Sequence, residues 1–220
     1  MATVMESALE MTLADLMEKF GPIPVRRIRL DPAPGTATED DVVAIADRED
    51  RLCELVDGIL LEKAMGQPEA ELTFHISLII GAFIRDHRLG IGVGPDGLMR
   101  LMPGLIRIPD ISFVSWERLG HERPPKEQIA SYGPELAIEV LSPSNTRKEM
   151  ADKLRDYFAT GTRLVWYIDP KAKSVTVYES PDRATVLQGG DTLIGGDVLP
   201  GFEVPVAALL TLPEPPAPPQ

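Results

Sequence analysis

Apolar residues recur at helical spacing from the start of the chain. Met5, Leu9, Leu13, Leu16 and Phe20 predict a leading helix over residues 5–20, stopped by Gly21-Pro22. Residues 21–41, rich in Pro, Gly and Thr, read as an extended connector. Asp57-Gly58 then separates two apolar runs, Leu52-Cys53-Glu54-Leu55-Val56 and Ile59-Leu60-Leu61-Glu62-Lys63, which predicts a tight hairpin. Leu72, Ile76, Ile79, Ile80, Phe83 and Ile84 form one stripe of a long helix over residues 68–88, with Pro68 at a tolerated first position. Short strands follow around residues 91–93, 97–101 and 106–115. Within Leu136-Ala137-Ile138-Glu139-Val140-Leu141, Glu139 alone is polar, so this run reads as a buried strand. Thr146 and Glu149 are spaced as a capping box for a helix over residues 147–160, whose stripe is Met150, Leu154, Tyr157 and Phe158. A strand over residues 164–168, a turn at Asp169-Pro170-Lys171, an alternating pair over 174–178 and 184–188, and a short helix over 206–210 complete the pattern. The proline-rich end from Pro213 to Pro219 cannot build a core and predicts an extended tail.

Composition narrows the function classes. A length of 220 residues with 44% hydrophobic and 25% charged residues is that of an ordinary globular domain. No run of about 18 uncharged apolar residues predicts a membrane span, and no basic start followed by an apolar core predicts secretion, so a cytoplasmic protein with no membrane contact is expected. Cys53 is the only cysteine, which excludes an internal disulfide and a thiolate zinc cluster; it reads as a small strand residue. The net charge of −12, from 22 basic and 34 acidic residues, runs against a broad nucleic-acid footprint. Any contact with DNA is therefore local, through Arg26, Arg27 and Arg29, through Arg100 and Arg107, or through residues 118–126.

Three side chains carry candidate chemistry. Asp110 follows Pro109 at the start of a strand, Glu139 lies in an apolar strand, and Lys153 sits at the edge of a helix stripe. A carboxylate among apolar residues is costly to bury unless it is paired or bound to a cation. Glu139 shares a strand face with Ala137 and Leu141, and pairing to an arginine would serve it as well as a metal ion. On a helical wheel of about 100° per residue, Glu69 falls within roughly 20° of the apolar stripe, whereas Glu71 and His75 lie roughly 140° and 100° away. Glu69 therefore points inward, unless it curls back to the positive end of its helix. Lys153, at a stripe edge, can snorkel to solvent or reach into a cleft. A carboxylate pair from neighbouring strands can hold Mg²⁺ or Mn²⁺ for phosphodiester hydrolysis, and a lysine adds a point charge at the reacting phosphate. A serine hydrolase built on Ser142 or Ser144 with His75, His87 or His121 lacks the Gly-x-Ser-x-Gly elbow.

The runs Arg107-Ile108-Pro109-Asp110-Ile111-Ser112-Phe113-Val114, Pro134-Glu135-Leu136-Ala137-Ile138-Glu139-Val140-Leu141-Ser142-Pro143-Ser144-Asn145-Thr146 and Lys153-Leu154-Arg155-Asp156-Tyr157-Phe158, with Val165-Trp166-Tyr167-Ile168-Asp169-Pro170, resemble the Uma-type putative restriction endonuclease family of the PD-(D/E)XK nuclease superfamily. Glu54-Leu55-Val56-Asp57-Gly58, Glu62-Lys63-Ala64-Met65-Gly66 and Val198-Leu199-Pro200-Gly201-Phe202 extend the resemblance over residues 50–210. The resemblance implies an α/β fold, a restriction endonuclease-like core with a central mixed β-sheet flanked by helices. It divides the chain into a helical and extended arm (1–45), the nuclease domain (46–211) and the tail (212–220). It implies a metal-dependent endonuclease acting on DNA, with Asp110, Glu139, the carbonyl of Val140 and Glu69 as ligands of Mg²⁺ or Mn²⁺. Leu141 stands where the superfamily pattern has its lysine, and the resemblance passes that role to Lys153. A catalytically silent binding or assembly module with the same fold is the alternative. The arm and the two-site logic of duplex cleavage lead us to expect a homodimer.

Overall fold

A computed structural model describes residues 11–63 and 66–213. Met5 and Leu9 of the predicted leading helix, and the tail beyond Pro213, lie outside the described residues. In chain order the elements are α1 (Leu13–Phe20), a 3-10 turn (Val25–Arg27), α2 (Glu39–Glu49), β1 (Cys53–Val56), β2 (Ile59–Glu62), α3 (Gln67–Asp86), β3 (Gly90–Val93), β4 (Leu98–Met102), β5 (Leu105–Arg107) and β6 (Ile111–Ser115). There follow β7 (Ile129–Ala130), β8 (Leu136–Val140), α4 (Arg147–Ala159), β9 (Leu164–Asp169), β10 (Ser174–Ser180), β11 (Arg183–Leu187), β12 (Thr192–Ile194), β13 (Glu203–Pro205) and α5 (Val206–Leu210).

The segment expected as an extended connector is not one. It holds the 3-10 turn and the first residues of α2, whose N-terminus is closed by a capping box between Thr38 and Asp41. The box uses Asp where Glu or Gln is more usual, and the helix buries only Val42 and Ile45, so its apolar period is faint. The hairpin forms as expected, with Asp57 and Gly58 both at positive φ. At Gly58 a Cβ would lie 2.6 Å from the backbone of Gly35, so the close approach itself demands glycine.

Residues 106–115, expected as one strand, are two. Proline cannot donate to a ladder, and at Pro109 the chain leaves one sheet and enters another. The first sheet has the order β2-β1-β5-β4-β7, and the second β11-β10-β9-β8-β6-β3 with β8 and β9 parallel. A two-stranded pair, β12-β13, is hydrogen-bonded to neither sheet but adds Leu193 and Val204 to the core of the second. The architecture is therefore mixed α/β.

Helices cover both faces of the second sheet. Leu136, Ile138 and Val140 of β8 join Leu72, Ile76, Ile80 and Ile84 of α3 in the main core. Ala137, on the other face of β8, packs with Met150, Leu154 and Tyr157 of α4. The period of two along β8 thus turns Glu139 toward α4. On the first sheet, α2 covers one face and α1 the other, with Leu16 and Phe20 packed on Val56, Ile59 and Leu61. The described part of the arm is packed on its own chain.

Candidate active site

The cavity of interest lies where the two sheets meet. Asp110 sits at the crossing from β5 to β6, with its amide bonded to Ile138 O at 3.1 Å. Its Oδ2 accepts from the Val140 N–H at 2.7 Å, which locks the carboxylate beside β8. Its Oδ1 lies 2.9 Å from Lys63 Nζ, and that ammonium also donates to the carbonyls of Pro95, Ile108 and Pro109.

Glu139 is buried and accepts from Lys153 Nζ at 3.2 and 3.3 Å and from the Tyr157 hydroxyl at 2.5 Å. Lys153 therefore turns inward from α4, and the amine reaches the strand glutamate across the helix–sheet interface. No arginine pairs with Glu139 among the described residues. Lys153 also lies 2.8 Å from Oε1 of Glu54 on β1. The second Glu54 oxygen accepts from Arg107 at 2.9 Å, and Arg107 in turn holds Asp156 of α4.

Burial pushes the Glu139 carboxyl up to about 7, with the neighbouring carboxylates of Asp110 and Glu54 adding to it and Lys153 and Lys63 opposing. Burial would raise Glu54 too, but Lys153 and Arg107 outweigh it and hold that carboxyl down to about 2. Lys153 is held above its ordinary range, because Glu139 and Glu54 outweigh the burial that would lower it. Within this cluster Glu139 is the carboxyl that burial pushes toward its neutral form, whereas Lys153 is pushed toward its charged form by the two glutamates.

The donor types here are those of a hard divalent cation. Four carboxylates, Glu54, Asp110, Glu139 and Asp156, meet three cations, Lys63, Lys153 and Arg107, so the ionised cluster is one positive charge short. A cavity of about 20 Å³, enough for one water-sized occupant, is lined by Asp110, Glu139, Val140 and Glu69 together with the cations Lys63, Lys153 and Arg27. Hard oxygen donors around so small a space suit Mg²⁺ or Mn²⁺, and Mg²⁺ commonly keeps several waters beside one or two carboxylates. Among the described residues, no three acidic, histidine or cysteine side chains converge closely enough to hold a metal ion alone. Glu69 is half-buried at the first turn of α3, and its carboxylate lies close over Gly66 at the helix start. It lines the cavity while turning toward the positive helix end, which combines the two directions open to it in the sequence.

Glu54 and Lys63 carried no chemical role in the sequence reading, Arg107 entered only as a possible DNA contact, and Tyr157 only as a packing residue of α4. Glu54 bears the same mark as Glu139, a carboxylate inside an apolar strand run, and could have been found by it. The arginines weighed as DNA contacts are largely committed internally. Arg27 is buried on Glu149, Arg29 pairs with Glu49 and Glu62, Arg100 pairs with Glu39, and Arg107 is buried. Arg26 pairs with no carboxylate among the described residues and lines a cavity of about 590 Å³ beside the acidic cluster. Ser142 bonds both Ser144 and Asn145, while His75 and His87 bond backbone carbonyls, so no serine–histidine pair forms among the described residues. Cys53 is buried and its thiol is pushed up to about 11 by burial, as suits a packed strand residue.

Residues 39–207 match the Uma2 family, described as a putative restriction endonuclease. The chain belongs to the Uma2 family. Its match begins at Glu39, so α2, missed in the sequence reading, lies within the family's span. The fold of this Uma2 chain is shared with a solved structure described as a putative nuclease belonging to DUF820 from Anabaena variabilis ATCC 29413. The TM-score is 0.64 at 18% identity, covering 73% of this chain and 90% of that one. No curated protein matches the chain. Among the described residues no helix is long and apolar enough to cross a membrane.

Proposed function

We propose that this Uma2 protein is a metal-dependent endonuclease that hydrolyses DNA phosphodiester bonds. The observation that carries the reading is the contact of Lys153 with Glu139, which brings a charged amine to a small cavity already flanked by Asp110. In this reading Asp110, Glu139, the Val140 carbonyl and Glu69 would hold Mg²⁺ or Mn²⁺. A bound divalent cation supplies positive charge to the phosphate and lowers the pKa of an attacking water.

The remaining work falls to the chain's own side chains. Lys153, charged at neutral pH, cannot accept a proton; it stabilises charge growing on the phosphate oxygens. Glu54 and Tyr157 are positioning residues, one fixing the lysine and the other fixing Glu139. Lys63 balances the charge of Asp110 and is itself held by three backbone carbonyls. The silent-module alternative draws its support from the same pairs, since Lys63 and Lys153 already satisfy Asp110 and Glu139 internally.

The test is cleavage of supercoiled plasmid in Mg²⁺ or Mn²⁺ by the wild type, Asp110→Asn and Lys153→Ala, with metal binding followed by calorimetry. The expected result is cation-dependent cleavage, lowered on the order of 100-fold or more in each variant. Cleavage undiminished in both variants would remove this site, and a wild type that neither cuts nor binds metal leaves the silent module. We further propose a cytoplasmic homodimer. Its support is an exposed apolar pair, Phe74 and Leu78, one turn apart on α3, rather than the arm.

A further inference from the structure

We propose that the apolar cavity beside the acidic cluster is a subsite for an unpaired nucleobase, so that the strand being cut is single-stranded or opened at the cleavage position. The inference rests on the nuclease reading above and names its substrate class.

Three cavities meet along one path. The central one, between Asp110 and Glu139, shares Lys63, Glu69 and Ser142 with the cavity that contains Arg26 and Arg51. On its other side it shares Glu69, Ser142 and Asn145 with a cavity of about 620 Å³, within the range of small-molecule sites. That cavity is walled by Leu141, Met150, Leu154, Tyr167 and Tyr178, with Pro181 at its edge. A phosphate at the mouth of the central cavity therefore has a cationic space on one side and a tyrosine-lined apolar space on the other.

The apolar wall is built to present a ring. Tyr167 is buried, and its hydroxyl is fixed on the Met150 carbonyl at 2.6 Å. Tyr178 packs edge-on against it with centroids 5.1 Å apart, is half-buried, and makes no side-chain hydrogen bond among the described residues. At the rim, Asn145 Oδ1 accepts from the Ser142 amide and hydroxyl, which leaves the Asn145 amide N–H₂ for a base edge. Flat apolar faces with a polar edge describe a nucleobase.

The charge distribution selects the same substrate. Duplex binders gain affinity by neutralising many phosphates, but the chain carries −12 and most of the arginines considered are tied to its own carboxylates. Arg26 and Arg51, the latter loosely paired to Glu62 at 3.3 Å, can serve one or two phosphates. Affinity then has to come from stacking, which is open only to a base out of its duplex.

Fluorescence anisotropy in Ca²⁺ buffer tests this, with strand integrity checked on a gel. The probes are a short oligothymidylate, an abasic strand with the same phosphates, an oligouridylate and a blunt duplex. The wild type is expected to bind the thymidylate roughly tenfold more tightly than the abasic strand. Tyr178→Ala should erase that preference and Tyr178→Phe keep it. Ala151→Phe, at an exposed α4 position on the cavity wall, should erase it by filling the space without removing packing. A base preference on the ribose strand as well supports the subsite and extends it to RNA. Equal binding of thymidylate and abasic strands, tighter binding of duplex, no binding at all, or a preference that survives both Tyr178→Ala and Ala151→Phe overturns it. Asp110-dependent plasmid cleavage without any base preference removes the subsite and leaves the nuclease. Base-dependent binding without cleavage in Mg²⁺ or Mn²⁺ keeps the subsite and removes the nuclease.

Discussion

Glu139 is held at a pKa of about 7 by burial and by the carboxylates of Asp110 and Glu54, well above the 4.5 of a free glutamate. The folded protein thus binds this proton more tightly than the unfolded chain. The stability it contributes is complete below about pH 4.5 and is lost as pH rises through about 7. Glu54, displaced the other way, is ionised throughout that window and does not cancel the effect. Metal-free protein should therefore resist urea less at about pH 8 than at about pH 6, and Glu139→Gln should flatten the difference. Affinity for a divalent cation should run oppositely, rising about tenfold per pH unit below 7 as the proton stops competing, which calorimetry can follow. Arg107 is a second residue-scale case, because it is buried and bonded to both Glu54 and Asp156. Arg107→Met leaves Asp156 without its cation and Glu54 with Lys153 alone, and a loss of about 3–5 kcal/mol in denaturant unfolding is expected.

At the scale of elements, the position of α4 decides whether Lys153 reaches Glu139. Three contacts hold the N-terminus of that helix. Thr146 caps it by accepting from the Glu149 amide at 3.0 Å and donates its hydroxyl to the Phe20 carbonyl at 2.6 Å, tying it to α1. Arg27, from the 3-10 turn, forks onto Glu149 at 2.7 and 3.1 Å. Residues that looked like a loose arm therefore brace the helix that carries the catalytic candidate. Thr146→Ala should cost about 1–2 kcal/mol in chemical denaturation, from the cap and the Phe20 bond together, while Thr146→Ser retains both and should cost little. The capping box and stripe of α4 were legible because they are local. The two-strand break at Pro109 was not, because the strand pattern continues across it and only the separation of the sheets reveals the crossing.

Over the whole molecule, two helix-covered sheets meet at a seam, and the charged cluster occupies it. Phe74 and Leu78 are the large apolar side chains left exposed on α3. Light scattering at micromolar concentration should give a dimer mass for the wild type and a monomer mass for Phe74→Asp/Leu78→Asp; a monomeric wild type ends the homodimer proposal. By itself, the sequence determined what depends on near neighbours along the chain. The hairpin at Asp57-Gly58, the stripes of α3 and α4 and the strand around Glu139 all follow from periods and caps that a few residues encode. It also marked Asp110, Glu139 and Lys153 by residue type and by resemblance. Only the tertiary structure decided that Lys153 lies on Glu139, that Glu54 and Arg107 support it, that Lys63 balances Asp110, and that the basic residues of 26–29 divide between structure and surface. Those outcomes are contacts between segments as many as 122 residues apart, as for Arg27 and Glu149, and no local period specifies which charge meets which. Burial then made each pairing obligatory, because a lone charge in that seam would be far costlier than the bond that satisfies it.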